Sequence, residues 1–255
     1  MKLIKTTILA LVVLISTNLD AQVLGKNYGK TMYTSGGYAN IDAEALQKLM
    51  PANANVVKNN FSAMGFGGSH HIKGFVIGIN GDFLKSGSST KDRFNKNTGD
   101  VTSKIKMIKG TLNFGYTVID TRKIKLFPTV GVGHSRLDLN ITDEGDLTLD
   151  QLTNGEMQGN EYNLVLKNIL FDFGLNFNFI HGKEKEGITK GFLKGIRVGY
   201  QYGLESNNWK HEGGELTDAI SYSPNGLYAQ MTIGFGKFSK QKMSICSHAC
   251  SSKRK

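Results

Sequence analysis

The chain is poor in the residues on which several fold classes depend. Cys246 and Cys250 are its only cysteines, so disulfides cannot staple a chain of 28.0 kDa into a small-core scaffold. With 3 Pro and 1 Trp against 31 Gly, 14 Phe and 9 Tyr, it is neither a collagen nor a coiled coil. A hydrophobic content of 39% with 20% charged residues excludes a disordered chain. After residue 20 no apolar run approaches the roughly 18 residues of a transmembrane helix.

Charge of one sign is in excess but unevenly placed. Of the net +10, half comes from Lys240, Lys242, Lys253, Arg254 and Lys255 in the C-terminal tail. The body is close to balanced, which argues against nucleic acid as a partner. At the other end, Lys2 and Lys5 precede an apolar core from Ile8 to Ile15, and a polar stretch leads to Ala21. That pattern predicts a secretory signal peptide over residues 1–21, a domain over 22–238 and a basic tail over 239–255.

Period two dominates the rest. Phe171, Phe173, Leu175, Phe177 and Phe179 alternate with Asp172, Gly174, Asn176 and Asn178. Leu227, Ala229, Met231, Ile233 and Phe235 alternate in the same way with Tyr228, Gln230, Thr232, Gly234 and Gly236. Alternation of this kind puts the two sets on opposite faces of a strand. Eight strands are predicted near 30–40, 58–69, 73–84, 104–119, 124–139, 162–180, 190–204 and 223–238. A short helix is predicted at 42–50, capped by Asp42, with Leu46 and Leu49 on one face and Pro51 ending it. The connections alternate between long and short, with the sixth, 181–189, intermediate. Short turns on one side and long loops on the other are the asymmetry of outer-membrane barrels.

The composition of the polar face identifies the solvent. On the clearest strands its commonest residue is Gly, and Lys109, Lys125, Asp172 and Arg197 are its charged members. A sheet facing bulk water carries more Lys and Glu, whereas small uncharged residues suit the interior of an eight-stranded barrel. Lys194 interrupts the apolar face near a strand end, where it can snorkel. The fold class predicted is therefore all-β: an eight-stranded antiparallel up-and-down transmembrane barrel with one short helix in the first long loop. A soluble lipocalin-like periplasmic binding barrel is the alternative.

The stretches Gly36 to Asp42, Phe66 to Gly68, Phe75 to Ile79 and the closing strand Leu227 to Phe238 resemble small eight-stranded outer-membrane β-barrels of Gram-negative bacteria. The resemblance covers roughly residues 30–238 and implies a location in the outer membrane, facing its lipid, more than an activity. Barrels of this kind often end on the final aromatic; this chain continues beyond Phe238.

No catalytic, cofactor or metal site is assembled by the sequence. His134-Ser135 with Asp138 suggests a lipid-modifying hydrolase, but adjacent strand residues point to opposite faces. His70-His71 fails as a metal pair for the same reason. Cys246, His248 and Cys250 offer soft ligands without a fourth, and in an oxidising compartment a local disulfide or a disordered tail is the simpler reading. Glycine patterns at Gly65 to Gly68 and Gly131 to Gly133 lack the Lys and helix of a phosphate cradle. The acidic loop 140–161 reads first as a solvated hairpin near anionic lipid, with divalent-cation binding or docking of a partner as the sharper alternative. The loop 85–103 is basic, and Trp209 in the loop 205–222 is a candidate ligand anchor or interface residue. The expected function is a non-enzymatic, monomeric surface protein, serving envelope structure or presenting loops. A lipid-modifying enzyme is the rival from another class.

One structural pairing is predicted inside the barrel. Asp172 and Arg197 share the inward parity of adjacent strands, and a turn centred on 184.5 sets them directly opposite. Lys109 and Lys125 add positive charge to the same interior, with Asp82 the expected helper.

Overall fold

The computed structural model describes residues 27–47, 59–86, 101–121, 123–143, 161–185, 187–211, 214–216 and 220–240. Eight long strands dominate it: β1 (Asn27–Ile41), β2 (Asn60–Ile72), β3 (Phe75–Ser86), β4 (Val101–Tyr116), β5 (Ile124–Asp143), β6 (Glu161–Lys185), β7 (Ile188–Gly203) and β8 (Gly226–Lys240). Each pairs antiparallel with its neighbours in sequence, and β1 closes on β8. The segment 1–21 predicted as a signal peptide, most of the basic loop 85–103 and of the acidic loop 140–161, Leu49, Pro51 and the cysteine-bearing tail lie outside the described residues. No helix among the described residues is long and apolar enough to cross a membrane.

The register fixes the shape of the ring. Opposed residues lead from Lys30 through His70, Ile77, Phe114, Val130, Phe173, Tyr200 and Leu227 back to Asn40, ten residues further along β1. An eight-stranded ring with that stagger tilts its strands by roughly 40° and has a backbone radius of roughly 8 Å. Residues on this path face outward; Ile77, Phe114, Val130, Phe173, Tyr200 and Leu227 are all exposed. Met32, Met231 and Phe235 are 75%, 70% and 71% exposed. On β6 the apolar outward set runs from Ile169 to Phe179, about 25 Å along the axis at that tilt, the height of a hydrocarbon band. The inward set holds the buried polar residues, among them Asp82, Lys109, Asp172 and Arg197. This polarity is the reverse of a lipocalin-like barrel and excludes that alternative.

Short connections gather at one end. Lys73 and Gly74 join β2 to β3 with φ of 52° and 92°, the two left-handed residues of a mirror-image turn that matches the strand twist. Only residues 186 and 187 separate β6 from β7, and Gly187 has φ 75°. The intermediate connection predicted at 181–189 is thus a tight turn, because β6 runs on to Lys185 as an exposed ribbon. At the opposite end the helix α1 (Glu44–Gln47) follows β1 directly. The Asp42 Oδ1 accepts from the Glu44 N–H at 3.1 Å, as a cap should, and Leu46 is buried.

Candidate functional site

Three layers fill the lumen. The middle layer lies within the apolar belt. Arg197 Nη2 donates to Asp172 Oδ2 at 2.9 Å, and its Nη1 lies 3.4 Å from Asp82 Oδ2. Lys109 Nζ is 3.5 Å from that same Asp82 oxygen and donates to Gln201 Oε1 at 2.9 Å. Gln230 Nε2 donates to Asp82 Oδ1 at 3.1 Å, and the Tyr228 hydroxyl donates to Asp172 Oδ2 at 3.1 Å. Arg197 and Lys109 also flank the Tyr228 ring, at 4.8 and 4.6 Å from its centroid. Two cations therefore meet two carboxylates and a shared aromatic, so the layer is close to neutral. That is the arrangement a low-dielectric interior tolerates, since a lone charge there is costly.

Glycine makes room for this layer. Gly174 and Gly199 are opposed on β6 and β7. A Cβ on Gly199 would stand 2.6 Å from Tyr228 Cζ, and one on Gly174 would stand 2.9 Å from its hydroxyl. The bare backbone lets Tyr228 lie along the inner wall at the middle layer and reach Asp172. This is the physical use of the glycine-rich inward face.

Arg197 does not lie directly across from Asp172. Asn176 faces Arg197, and Asp172 faces Gln201. The turn sits at residues 186 and 187 rather than at 184.5, which shifts the register by four residues, an even step that preserves both facings. The long guanidinium arm spans the diagonal. Asp82 joins the cluster, but Lys125 does not: it lies toward the short-turn end, ion-paired with Asp120, with its Nζ 4.4 Å over the Phe238 ring. His71 packs edge-on against Phe127 and Phe238 there, at 5.3 Å from each. Between the two layers, Tyr33, Asn80, Asn113, Phe127, Thr129 and Asn176 line a void of about 20 Å³, room for one water molecule.

The third layer, at the long-connection end, is apolar. Ile41, Phe61, Leu84, Ile105, Met107, Leu137, Leu139 and Leu166 point inward and pack with Leu46, Trp209 and Tyr222. Trp209 Nε1 donates to the Ile220 carbonyl at 2.8 Å, and the Tyr222 hydroxyl to the Asp42 carbonyl at 2.9 Å. Burial pushes the Tyr222 phenol above its ordinary range, with the Asp42 carboxylate adding to the shift. Trp209 is 0% exposed, so it is a cap residue rather than a ligand anchor or interface residue.

The other sequence candidates stay apart. His134 is exposed on the outer wall while Ser135 is buried inside; His70 and His71 split between the faces in the same way. Among the described residues no group of His, Cys, Asp or Glu is placed to hold a metal ion. Lys194 points out, its Nζ 5.8 Å over the Phe192 ring. Sequence reasoning missed Gln201, Gln230 and Tyr228 as partners of the charges, although all three share their inward parity.

No family model and no curated protein matches the chain in sequence. In structure it is similar to Neisserial surface protein A (NspA), at 11% identity and TM-score 0.33, over 85% of this chain and 97% of that one. It is also similar to Ail, the attachment invasion locus protein of Yersinia pestis, at 10% identity and TM-score 0.34, over 84% and 98%. A major outer membrane protein from Thermus thermophilus gives 7% identity and TM-score 0.37, over 84% and 98%. Closed ring, apolar belt and polar lumen make this chain an eight-stranded transmembrane β-barrel of the outer-membrane type.

Proposed function

We propose that the protein is a non-enzymatic surface barrel of the outer membrane, serving the envelope itself or presenting its long connections outside. The observation that supports this reading is the closed lumen. The charges of the middle layer are taken up by one another: Arg197 and Lys109 by Asp82 and Asp172. Above them the apolar layer is sealed by Leu46, Trp209 and Tyr222. A ring of this radius has room for side chains and little else, so its interior is a core rather than a passage. What remains for interaction is the outer wall and the connections at the long-loop end.

Two measurements test the reading. Purified protein in planar bilayers is expected to give no steady single-channel conductance; a reproducible open level overturns the closed lumen. Deletion of the gene is expected to leave the acylation of lipid A unchanged. A changed acyl pattern, restored by the gene in trans, replaces this reading with the lipid-modifying one.

A further inference from the structure

On four adjacent strands, the outward position just beyond the apolar belt carries a cation. Lys85 stands two residues beyond Phe83 on β3, and Lys106 two residues beyond Ile108 on β4. Arg136 stands two beyond His134 on β5, and Lys167 two beyond Ile169 on β6. All four are exposed. With the strand tilt and the register, they lie within about 5 Å of one level along the axis.

Their pairing is unusual. Lys85 is directly opposed to Lys106, and Arg136 directly to Lys167. Like charges opposed across strands repel and destabilise the sheet. On this side of the rim Asp138 binds Arg136 at 2.9 Å. Among the described residues no ion pair reaches Lys85, Lys106 or Lys167. Among the described residues the other half of the rim carries no cation at this height: Asn40, Asn60, Ser62 and Leu204 face out, with the carboxylates of Asp42 and Glu205 exposed just beyond Asn40 and Leu204; there the Asn40 amide donates to Asn60 Oδ1 at 2.8 Å. The cations are thus gathered on one side, in two like-charged pairs, at the level of the lipid headgroups.

We propose that this collar binds the phosphate groups of the phosphorylated glycolipid in the outer leaflet. Each opposed pair presents two cationic donors to one phosphate, the charge-assisted arrangement that anions favour. The apolar belt beneath, at Phe83, Ile108 and Ile169, receives the acyl chains of the same molecule. A bound phosphate removes the repulsion that the paired cations otherwise carry. The site does not depend on what the long connections present.

The test uses the full folded chain in zwitterionic detergent, titrated with diphosphoryl lipid A. The variant K85Q/K106Q/R136Q/K167Q is expected to bind it at least tenfold more weakly, since each basic residue near an anionic headgroup contributes separately. Dephosphorylated lipid A is expected to bind the unaltered protein no better than diphosphoryl lipid A binds the variant. Single changes K106Q and R136Q, at exposed positions, are each expected to lose part of the affinity, and they carry the test if the quadruple variant does not fold. A matched set at the short-turn end, K30Q/K73Q/K190Q/K237Q, is expected to leave binding unchanged. Equal affinity of the collar variants and the unaltered protein overturns the proposal, and so does an equal loss in the matched set. Displacement of the lipid by millimolar inorganic phosphate overturns the lipid assignment and leaves a site for a free anion.

Discussion

Strands β4 and β5 each cross two solvents, and the comparison of their two halves explains the barrel. Toward the short turns, Ile108, Leu112 and Phe114 of β4 face out while Lys109, Thr111 and Asn113 face in. Toward the long connections the same strand puts Lys104 and Lys106 outside and Ile105 and Met107 inside. On β5, Val130 and Val132 face out over inward Gly131 and Gly133, whereas Arg136 and Asp138 face out over inward Leu137 and Leu139. The pairing of β4 with β5 runs without interruption through both halves, so no bulge exchanges the faces. Alternation reports which residues share a face. The polarity of that face reports what lies beyond it, and it reverses where the barrel leaves the lipid. One half is built for hydrocarbon outside; the other is an ordinary hydrophobic core wrapped in charge.

Breaking an ion pair gives the largest contrast between the halves. Asp172–Arg197 in the belt and Asp138–Arg136 above it have the same 2.9 Å contact, but the side chains are 1% and 2% exposed in the first and 20% and 53% in the second. Asp172→Ala strands a buried guanidinium and is expected to cost about 3–5 kcal/mol in denaturant unfolding from micelles. Adding Arg197→Met is expected to recover much of that loss, because the uncompensated charge goes with it. Asp138→Ala is expected to cost less than about 1 kcal/mol, as exposed pairs do. Equal losses at the two sites would mean that the lumen is wet.

Leu139 and Leu112 sharpen the same point with a smaller effect. Leu139 is 0% exposed inside the upper half, and Leu139→Ala opens a cavity expected to cost about 3 kcal/mol. Leu112 meets lipid, which fills the space a shortened side chain leaves, so Leu112→Ala is expected to cost clearly less. The reverse test places a cation on the outer wall. Val130→Lys, midway up the belt, is expected to cost about 2–4 kcal/mol. Asn140→Lys, ten residues along on the same face and beyond the belt, is expected to stay within about 0.5 kcal/mol. Unfolding midpoints in phospholipid vesicles check both pairs.

Much of this was legible in the sequence for one reason: a period of two survives every change of solvent. The facing of the clearest strands and the joint inward parity of Asp172 and Arg197 follow from it; the Gly-rich stretches 30–40 and 58–69 read as strands from their Tyr, Phe and Thr content, and the sequence leaves their facing open. The register does not follow from the period, because it depends on where the turn falls. The run from His181 to Lys185 is too polar to read as strand, yet it pairs with β7 up to Lys185↔Ile188, since backbone hydrogen bonds continue where side chains carry no signal. The reversal of polarity was present in Lys104-Ile105-Lys106-Met107 but is masked when a strand is scored as one unit. Trp209 is different again. Its burial depends on a connection folding back over the rim, which no periodicity encodes.

The cap offers the smallest effect and the most local one. It stands on the water side, so the rules of soluble helices should hold it. Asp42 Oδ1 receives the Glu44 N–H at the start of a helix of only 4 residues, too short to be stable alone. Its position is set by Leu46 in the apolar layer and by the Tyr222 hydroxyl on the Asp42 carbonyl. The second contact uses the backbone and survives any change of side chain. Asp42→Ala therefore removes the cap alone and is expected to cost about 1 kcal/mol, while Asp42→Asn, which keeps an acceptor, is expected to restore most of it. Amide hydrogen exchange resolves a change this small: the Glu44 amide should lose protection in the alanine variant, with the amides of β4 and β5 unaffected. Loss of protection throughout the barrel would show instead that cap and ring unfold as one unit, and that the upper half is no separate region.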